Sequence, residues 1–294
     1  HENRFLIGLS LDGPAHVHDR YRRDVHGNPT FNQVMKGIEL LNAHRVEWNT
    51  LAVVSDYSAL YPLEIYRFFK SIGSHYIQFS PVVERVIPAA EASDQHLAAP
   101  IDKTNALLAP WSVDPLLYGH FLNAIFDEWV QVDVGNYYVV TFDSVLAKWC
   151  GVEPANCALA DTCGTGPVME TCGDIYMCDH FVYPDYCLGN ILTQGLRPLL
   201  LSDRQIAFGQ QKTANRPAAC RCCEYWQLCA GECPKHRIIQ TEDGMLNYLC
   251  PGLKSFFKHT APYMKYMAQQ LSIGGSPATV MEWVRRQHPM NLLR

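Results

Sequence analysis

Residues 5–14 read FLIGLSLDGP, a nearly continuous apolar run that is closed by a turn. Such a run predicts a strand buried on both faces, because a strand with one wet face would alternate apolar and polar residues. Asp12, Gly13 and Pro14 are residues that end a strand in a turn. Strands buried on both faces are typical of parallel sheets, in which helices cover the two sides. The segment therefore favours the α/β fold class.

The residues that follow alternate between helix and strand signals. Thr30 and Gln33 form a capping-box pattern before apolar residues at helical spacing, and a second strand covers about 46–54. Pro62 opens the next helix, and Tyr76 begins a third strand. A βαβαβ succession predicts parallel strands with helices outside, and three strands cannot close a barrel.

The middle and the end of the chain give weaker signals. Residues 84–113 are Ala/Pro-rich without a clear period, which predicts a long loop. Asp114-Pro115 predicts a helix start, and residues 137–141 predict one more strand. Toward the end, the apolar spacing predicts an amphipathic helix interrupted at Pro262, and Ser276-Pro277 predicts the start of a last helix.

Charge and hydropathy exclude two classes of partner. The 294 residues carry 24 Lys+Arg against 29 Asp+Glu, a formal net charge of -5, which disfavours nucleic acid. No apolar run approaches the roughly 20 residues that span a bilayer, and the amino end lacks the features of a signal peptide. We therefore expect a soluble cytoplasmic protein with no membrane partner. Because the chain begins with His1 inside an expected strand, we also expect the amino end of the natural protein to be missing.

All 12 cysteines lie between Cys150 and Cys250. Metal ligation is favoured over disulfides, because no export signal is visible and the cysteine-free first half can fold by apolar burial. Cys220 to Cys233 read C-x2-C-x5-C-x3-C, a spacing typical of thiolates that hold a metal centre. With three cysteines upstream and one downstream, the chain offers eight candidate ligands, enough for two four-thiolate sites. Spacing alone leaves zinc and iron–sulfur clusters both open.

Four stretches carry a family resemblance. They are Gly8–Pro14 with His18, Asp19 and Arg22, then Gln78–Glu84, then Cys178–Val182 with Leu188–Asn190, and Cys229–Lys235. In these motifs, and over nearly the whole chain from residue 5 to about 270, the sequence resembles the anaerobic sulfatase-maturating enzymes. These are radical S-adenosylmethionine (radical-SAM) proteins whose carboxy-terminal SPASM domain carries two auxiliary 4Fe-4S clusters.

The resemblance implies a partial (truncated) radical-SAM (β/α) barrel followed by a cysteine-rich SPASM iron–sulfur domain. The expected boundaries are 1–92 for the second half of the partial barrel, 93–150 for a connecting loop and barrel-capping helices, 151–260 for the SPASM domain, and 261–294 for a helical tail. The family holds its radical-generating cluster with a C-x3-C-x2-C motif, and this chain contains no such motif. We therefore expect the chain as given to be inactive alone.

The resemblance also assigns site residues. The first auxiliary 4Fe-4S cluster is expected on Cys157, Cys163, Cys178 and Cys233, and the second on Cys220, Cys223, Cys229 and Cys250. Asp179 is similar to a family aspartate that takes a proton from the substrate, and an exposed turn residue or a helix cap is the alternative. Ser10, Asp12 and Arg22 are expected to contact the cofactor, with turn formation as the ordinary alternative for Ser10 and Asp12.

The remaining cysteines and two nearby cations receive structural interpretations. The cysteines outside the pattern are interpreted as buried small hydrophobic residues, and they are Cys150, Cys172, Cys187 and Cys222. Lys235 and Arg237 are interpreted as solvated rather than as charges that offset a cluster.

The implied activity is radical-SAM oxidation of an active-site Cys or Ser of a sulfatase to formylglycine. The intact family also uses S-adenosyl-L-methionine and a third 4Fe-4S cluster. Its partners are the sulfatase polypeptide and an electron donor such as flavodoxin or ferredoxin. Two alternatives stay open. One is another SPASM peptide-modifying radical-SAM enzyme, and the other is a non-catalytic Cys-rich zinc-binding interaction module.

Overall fold

The computed structural model describes residues 5–88, 96–100 and 106–287. The chain divides into two compact units. The sheet unit comprises His1–Val82, Pro110–Val152 and Pro251–Arg294, and the cysteine unit comprises Val83–Ala109 and Glu153–Cys250.

Strands and helices in the described residues alternate along the sheet unit and are short in the cysteine unit. The strands are β1 (Ile7–Ser10), β2 (Trp48–Val54), β3 (Tyr76–Pro81), β4 (Arg85–Ile87), β5 (His96–Leu97), β6 (Leu107–Leu108), β7 (Tyr138–Val139), β8 (Val168–Met169), β9 (Asp174–Tyr176), β10 (Cys187–Asn190), β11 (Arg237–Thr241) and β12 (Gly244–Asn247). The helices are α1 (Ala15–Tyr21), α2 (Phe31–Ala43), α3 (Pro62–Ser71), α4 (Pro115–Val132), α5 (Val140–Trp149), α6 (Ile191–Gln194), α7 (Leu196–Leu200), α8 (Asp203–Ala214), α9 (Ala218–Arg221), α10 (Trp226–Cys229), α11 (Cys250–Ser272) and α12 (Val280–Gln287).

The sheet unit is built on a parallel sheet of order β1-β2-β3-β7. Its central strands are the most buried, with Val54, Ile77 and Phe79 each at most 2% exposed. Helices follow the strands in sequence, as the alternating pattern predicts. The predicted α/β fold class is thereby confirmed.

Strand β1 is less buried than its apolar sequence predicts. It pairs only with β2 among the described residues, and it lies at the edge of the sheet. Phe5 and Leu6 are 70% and 60% exposed, and Gly8 and Ser10 also face solvent. The expectation of a strand buried on both faces is therefore wrong here, because an edge position covers fewer side chains than an interior one.

The start of α2 is capped by a residue from another element. Thr30 accepts no capping hydrogen bond with its side chain, and its hydroxyl instead donates to the carbonyl of Arg22 at 2.9 Å. The Asp19 carboxylate accepts the backbone N–H groups of Thr30 and Phe31, both at 2.9 Å. The predicted capping box is therefore wrong. The N–H of Gln33 bonds to the backbone carbonyl of Thr30 at 3.0 Å, and the Asp19 carboxylate accepts the N–H of Thr30 that the Gln33 side chain was expected to bind.

Helix α4 supplies much of the core of the sheet unit. The Asp114 side chain accepts the N–H groups of Leu116 and Leu117 at 2.9 Å, so the helix begins at Pro115 as predicted. Its core-facing side chains are almost fully buried, and they include Phe121, Leu122, Ile125, Phe126 and Trp129. Their burial gives this helix a fixed position against the sheet.

Two expectations in the middle of the chain need correction. The described part of 84–113 contains a small antiparallel sheet of order β5-β4-β6 instead of an unbroken loop, whereas residues 89–95 and 101–105 lie outside the described residues. Strands of two or three residues are too short to show a period in the sequence. The strand predicted for 137–141 ends at Val139, because α5 begins at Val140.

Helix α11 is continuous through Pro262, contrary to the predicted interruption. An interior proline costs a helix about 3 kcal/mol. Phe256 and Phe257 before the proline, and Met264 and Met267 after it, are at most 1% exposed. Burial on both sides of Pro262 therefore offsets the missing hydrogen bond. No helix in the described residues is both long and apolar enough to cross a membrane.

The cysteine unit contains little regular structure. It has a three-stranded antiparallel sheet of order β10-β9-β8 and a hairpin of β11 and β12. Its helices are short, and the longest of them is α8 with 12 residues. Regular elements this small bury little apolar surface, so the side chains between them decide how the unit is held together.

Candidate metal centre

The eight predicted ligand cysteines all lie in the cysteine unit. All twelve cysteines fall in the described residues, and none forms a disulfide. Cys233 is buried, Cys157 reaches the surface, and the other six predicted ligands are half-buried. The cysteines outside the predicted pattern are more exposed than expected, since Cys150, Cys172 and Cys222 are exposed and Cys187 is half-buried. Their interpretation as buried hydrophobic residues is therefore wrong.

Four of the thiols influence one another electrostatically, and we call them set one: Cys157, Cys163, Cys178 and Cys233. Burial raises the pKa of Cys178 to about 12, and negative charge at Asp179 and Cys157 adds to the rise. Burial also raises the pKa of Cys233 well above its usual range, with contributions from Cys163 and Cys178. The pKa of Cys163 is raised by burial and by Cys157. Each thiol of set one therefore lies within electrostatic range of at least one other.

A second group is set two: Cys220, Cys223, Cys229 and Cys250. Burial raises the pKa of Cys229 to about 12, and Cys250 and Cys220 both contribute. Cys223 and Cys220 are joined by a backbone hydrogen bond, in which the N–H of Cys223 donates to the carbonyl of Cys220 at 3.2 Å in a tight turn. Two cysteines separated by two residues in such a turn can both point at one metal centre.

A strained turn separates the two sets between Cys229 and Cys233. Ala230, Gly231 and Glu232 have φ values of 48°, 77° and 52°, all in the left-handed region. Residues other than glycine adopt this region only when their surroundings fix it. The turn changes the direction of the chain within three residues. Cys229 and Cys233 can therefore belong to different sets although they are close in sequence.

A buried carboxylate and two histidines lie beside Cys233. Glu232 accepts hydrogen bonds from His236 Nδ1 at 2.8 Å and from Asn247 at 2.5 Å. Burial alone would raise the pKa of Glu232, yet His236 and Asn247 hold it below its ordinary value. His180 Nδ1 lies 3.3 Å from the Sγ of Cys233, and ligand atoms of His180, Cys233 and His236 all lie within 4.8 Å of one another.

Two cations lie beside the thiols. Sequence reasoning missed Lys212, and it interpreted Arg237 as solvated. Lys212 is 1% exposed, and its Nζ donates to the carbonyls of Cys157 at 2.9 Å, Ala158 at 2.8 Å and Ala160. Arg237 donates to the carbonyl of Lys212 at 2.7 Å. No spacing pattern distinguishes Lys212 from a solvated lysine of α8. It could be recognised only once the loop of set one was in place.

The interpretation of Lys235 and Arg237 as solvated is wrong. Lys235 Nζ forms an ion pair with Glu84 at 2.6 Å, with side chains only 14% and 19% exposed. Arg237 is half-buried, and burial lowers its pKa while the thiols of Cys220, Cys163 and Cys233 act in the opposite direction. Both residues are therefore held by protein partners.

Asp179 is exposed and lies next to set one. Its Oδ1 accepts a hydrogen bond from Cys178 Sγ at 3.2 Å, in a short 3₁₀ turn over Asp179–Phe181. A thiol that becomes a metal ligand loses its proton, and the carboxylate would then lose this donor.

The carboxyl end of β1 brings together two of the three residues expected to contact the cofactor. Arg22 forms a two-pronged pair with Asp12, at 2.7 and 3.0 Å, and Asp12 also accepts the N–H of Val53 at 2.9 Å. Asp12 lines a cavity of about 210 Å³, whereas Ser10 is exposed and does not line it. The cavity is also lined by residues that sequence reasoning missed, namely Val17, Tyr21, Val53, Ser55, Ser58, Val82 and Trp111. Ser55 directly follows β2. Because active sites of such folds lie at the carboxyl ends of strands, this position could have identified Ser55 as a candidate site residue from the sequence.

The donor set of the cysteine unit fits thiolate-bound metal centres. Each set offers four sulfurs, which is the complete ligand number of a 4Fe-4S cluster or of a structural zinc ion. Lys212 and Arg237 place positive charge beside sulfurs that would be anionic as ligands. The buried carboxylate of Glu232 also interacts with both cations, so it balances one of these two positive charges when the thiols are protonated.

Comparisons with known proteins identify the domain and its relatives. An iron–sulfur cluster-binding domain, SPASM, matches residues 167–224. The serine-type anaerobic sulfatase-maturating enzyme of Bacteroides thetaiotaomicron is 48% identical over 283 residues, which cover 96% of this chain and 68% of that protein. The cysteine-type enzyme of Clostridium novyi is 30% identical, with 92% and 69% covered.

Solved structures agree with the sequence relatives. Native anSMEcpe with bound AdoMet and Cp18Cys peptide has a TM-score of 0.76 at 28% identity, and the match covers 92% of this chain and 71% of that chain. The histidine-tagged anSMEcpe with bound AdoMet has a TM-score of 0.77 at 27% identity, with 96% and 70% covered. The parallel sheet, the SPASM domain and these similarities agree: the chain belongs to the family of anaerobic sulfatase-maturating enzymes.

Proposed function

We propose that set one and set two each hold an auxiliary 4Fe-4S cluster. Cys157, Cys163, Cys178 and Cys233 would ligate the first cluster, and Cys220, Cys223, Cys229 and Cys250 the second. The observation that carries the proposal is the grouping of the thiols, since the resolved electrostatic interactions between them run within each set. The match of a SPASM domain at residues 167–224 supports iron–sulfur over zinc.

The proposed activity is oxidation of a Cys or Ser side chain in a sulfatase segment to formylglycine, with S-adenosyl-L-methionine as the source of the radical. Two relatives carry the names serine-type and cysteine-type sulfatase-maturating enzyme. Solved anSMEcpe structures hold AdoMet together with the Cp18Cys or the Kp18Cys peptide. When bound, S-adenosyl-L-methionine supplies a radical that abstracts hydrogen, and the iron–sulfur clusters supply one-electron transfer.

Asp179 is the proposed base of this reaction. Its carboxylate is exposed, and its Oδ1 has the side chain of Cys178 as hydrogen-bond donor. Ligation of Cys178 would remove that donor, and Oδ1 could then accept the proton of a substrate thiol or hydroxyl. The exposure of Asp179 leaves room for a peptide side chain to approach it.

Asp12 and Arg22 are proposed to shape the cofactor cavity through their mutual pair. The Arg22 fork holds the Asp12 carboxylate, which in turn holds the backbone of Val53 on the next strand. The pair therefore fixes the loop after β1 against β2 at the mouth of the 210 Å³ cavity. Ser10, exposed at the end of β1, would offer a hydroxyl to the same cofactor. An electron donor such as flavodoxin or ferredoxin completes the proposed set of partners.

The metal content of the anaerobically reconstituted chain tests the cluster proposal. Two clusters require about eight irons and as many acid-labile sulfides per chain. A value near four would mean that one set is incomplete. Zinc without sulfide would contradict the redox proposal and support a zinc-binding interaction module.

The role of Asp179 is tested separately by Asp179→Asn. In an enzyme that carries the radical-generating cysteine motif fused before this chain, the variant should cleave S-adenosyl-L-methionine normally and lose most of its formylglycine product. Asp185→Asn is the matched control, because Asp185 is an exposed aspartate of the same unit. Equal loss of product in both variants would contradict a specific role for Asp179.

A further inference from the structure

Within the part of the chain that the structure describes, two nitrogens of the Arg237 guanidinium donate hydrogen bonds and the third does not. Its Nη1 donates to the carbonyl of Lys212 at 2.7 Å, and its Nε to the carbonyl of Gly231 at 3.3 Å. Its Nη2 is buried and has no hydrogen-bond partner in the described residues. A buried N–H group without a partner is costly, so the position of Nη2 indicates an acceptor that the polypeptide itself does not supply.

The thiols around Arg237 belong to both cysteine sets. Among the thiols, Cys220 of set two has the strongest electrostatic interaction with the guanidinium. Cys163 and Cys233 of set one interact with it more weakly. Lys212, the other buried cation, interacts with Cys163 and Cys233 but with no resolved member of set two. Arg237 thus interacts with thiols of both sets, whereas Lys212 interacts with thiols of set one.

The strained turn leaves the space that this guanidinium needs. Gly231 has a φ of 77°, and a Cβ added there would lie 2.6 Å from Arg237 Nη2. Glycine at this position therefore serves two purposes, since it allows the left-handed backbone and leaves room for the arginine head. The buried Glu232 next to it bonds to His236 and Asn247, so its carboxylate is occupied by other donors.

We propose that Arg237 is a positioning residue that raises the reduction potentials of both clusters, by donating from Nη2 to a ligand sulfur and by placing one positive charge near thiols of both sets. This inference rests on the proposed occupancy of both sets by 4Fe-4S clusters. A 4Fe-4S cluster with four thiolates changes its charge from -2 to -3 when it accepts one electron. A nearby cation and N–H donors to sulfur favour the more negative form, so Arg237 raises both reduction potentials.

The test is a redox titration of both clusters, followed by electron paramagnetic resonance, in the reconstituted 294-residue chain with dithionite as reductant. Arg237→Gln should keep about eight irons and shift both potentials to more negative values. Arg237→Lys keeps the charge but loses the guanidinium fork, and it should give a smaller shift in the same direction. Arg216→Gln is the control, because it removes a cation of the same unit that stacks on Trp226 at 4.1 Å.

Each outcome decides the inference. Potentials of Arg237→Gln equal to those of Arg216→Gln, at full iron content, would overturn it. A shift in the potential of only one cluster would overturn the effect of Arg237 on both. Full retention of wild-type potentials by Arg237→Lys would overturn the donation from Nη2, and loss of iron from both Arg237 variants would assign the residue to folding instead. Zinc without sulfide in the wild-type chain would contradict the proposed function itself, which separates that failure from the failure of the role of Arg237.

Discussion

At the scale of the residue, Cys222 and Cys223 differ in exposure and in backbone hydrogen bonding although they are adjacent. They are adjacent in the sequence, but Cys222 is exposed and Cys223 is half-buried. The N–H of Cys223 closes a turn on the carbonyl of Cys220, whereas the N–H of Cys222 bonds to Ala218. Only Cys223 therefore combines the spacing from Cys220 with a partly buried thiol.

We predict that Cys222→Ala leaves the iron content unchanged, while Cys223→Ala loses about four irons per chain, one cluster's content. The reason is that set two would retain only three thiolates without Cys223. Iron and acid-labile sulfide are measured after anaerobic reconstitution, and the two variants serve as each other's control. Loss of iron in Cys222→Ala instead would require a different ligand register.

Lys212 is a second single residue with a structural role, because its ammonium group bonds to backbone carbonyls. Its Nζ joins three carbonyls of the loop that begins with Cys157, so we expect Lys212→Met to remove one donor from each of them, including the buried carbonyl of Ala160. The loss should lower the free energy of unfolding by roughly 3 kcal/mol. Urea denaturation of the metal-free chain measures it. Gln211→Met, at the exposed neighbouring position of α8, should change it little, and equal effects would contradict the role of Lys212.

At the scale of the element, helices α4 and α11 make backbone contact in the sheet unit. Gly119 of α4 lies against Gly252 in the first turn of α11, and a Cβ on Gly119 would lie 2.6 Å from the carbonyl oxygen of Gly252. A Cβ on Gly252 would collide with the carbonyl of Pro115. The two glycines are required for helix contact rather than for a turn, since neither has a positive φ.

We expect Gly252→Ala to destabilise the protein by about 1–3 kcal/mol, because the backbones of α4 and α11 would have to separate. Gly37→Ala in α2 is the control, since no atom lies within 4 Å of its added Cβ and alanine is the better helix former. That control should gain about 0.5–1 kcal/mol. The two changes are compared by thermal unfolding, and opposite shifts in Tm are the expected result.

The elements also show where sequence reasoning succeeds and where it ends. Strand β2, helix α3 and the Asp114 cap follow from local patterns, and the structure has them within one or two residues of the predicted bounds. The cap of α2 could not be predicted from a local pattern, because the carboxylate that accepts the N–H of Thr30 belongs to Asp19, eleven residues earlier in the chain. The roles of Lys212 and Arg237 likewise depend on distant carbonyls and thiols. Contacts between residues far apart in sequence leave no local pattern to read.

At the scale of the whole molecule, the chain combines two kinds of stability. The sheet unit rests on aromatic and aliphatic burial, as in Phe126, Phe142 and Phe256 with ring centroids 5.3 to 6.2 Å apart. The cysteine unit contains buried charged groups, Lys212 and Glu232, and thiols whose pKa values are raised by burial. Metal loading should therefore affect the second unit far more than the first.

The cysteine content of the 294 residues leads to a prediction about activity. No cysteine precedes Cys150, so the sequence before it supplies none of the three close thiolates that a cluster with one open iron for S-adenosyl-L-methionine requires. We expect the reconstituted 294-residue chain to form no 5′-deoxyadenosine under strong reductant. Product is measured by liquid chromatography, with a fusion to a segment that carries the C-x3-C-x2-C motif as the positive control. Turnover by the 294-residue chain alone would show that one of the two sets has an open iron.

The left-handed turn Ala230–Glu232 offers a local probe of whether the thiols on either side of it are ligated. Non-glycine residues in this conformation cost about 1 kcal/mol each, and here Ala230 and Glu232 both adopt it. The amide of Glu232 donates to the carbonyl of Cys229 at 2.9 Å, so its hydrogen is protected while the turn is closed. Without ligation of Cys229 and Cys233 the turn can relax, and that amide should exchange with solvent deuterium early. The exchange rate at this position would then record the integrity of both proposed centres at once, because the turn is flanked by Cys229 and Cys233, a proposed ligand of each.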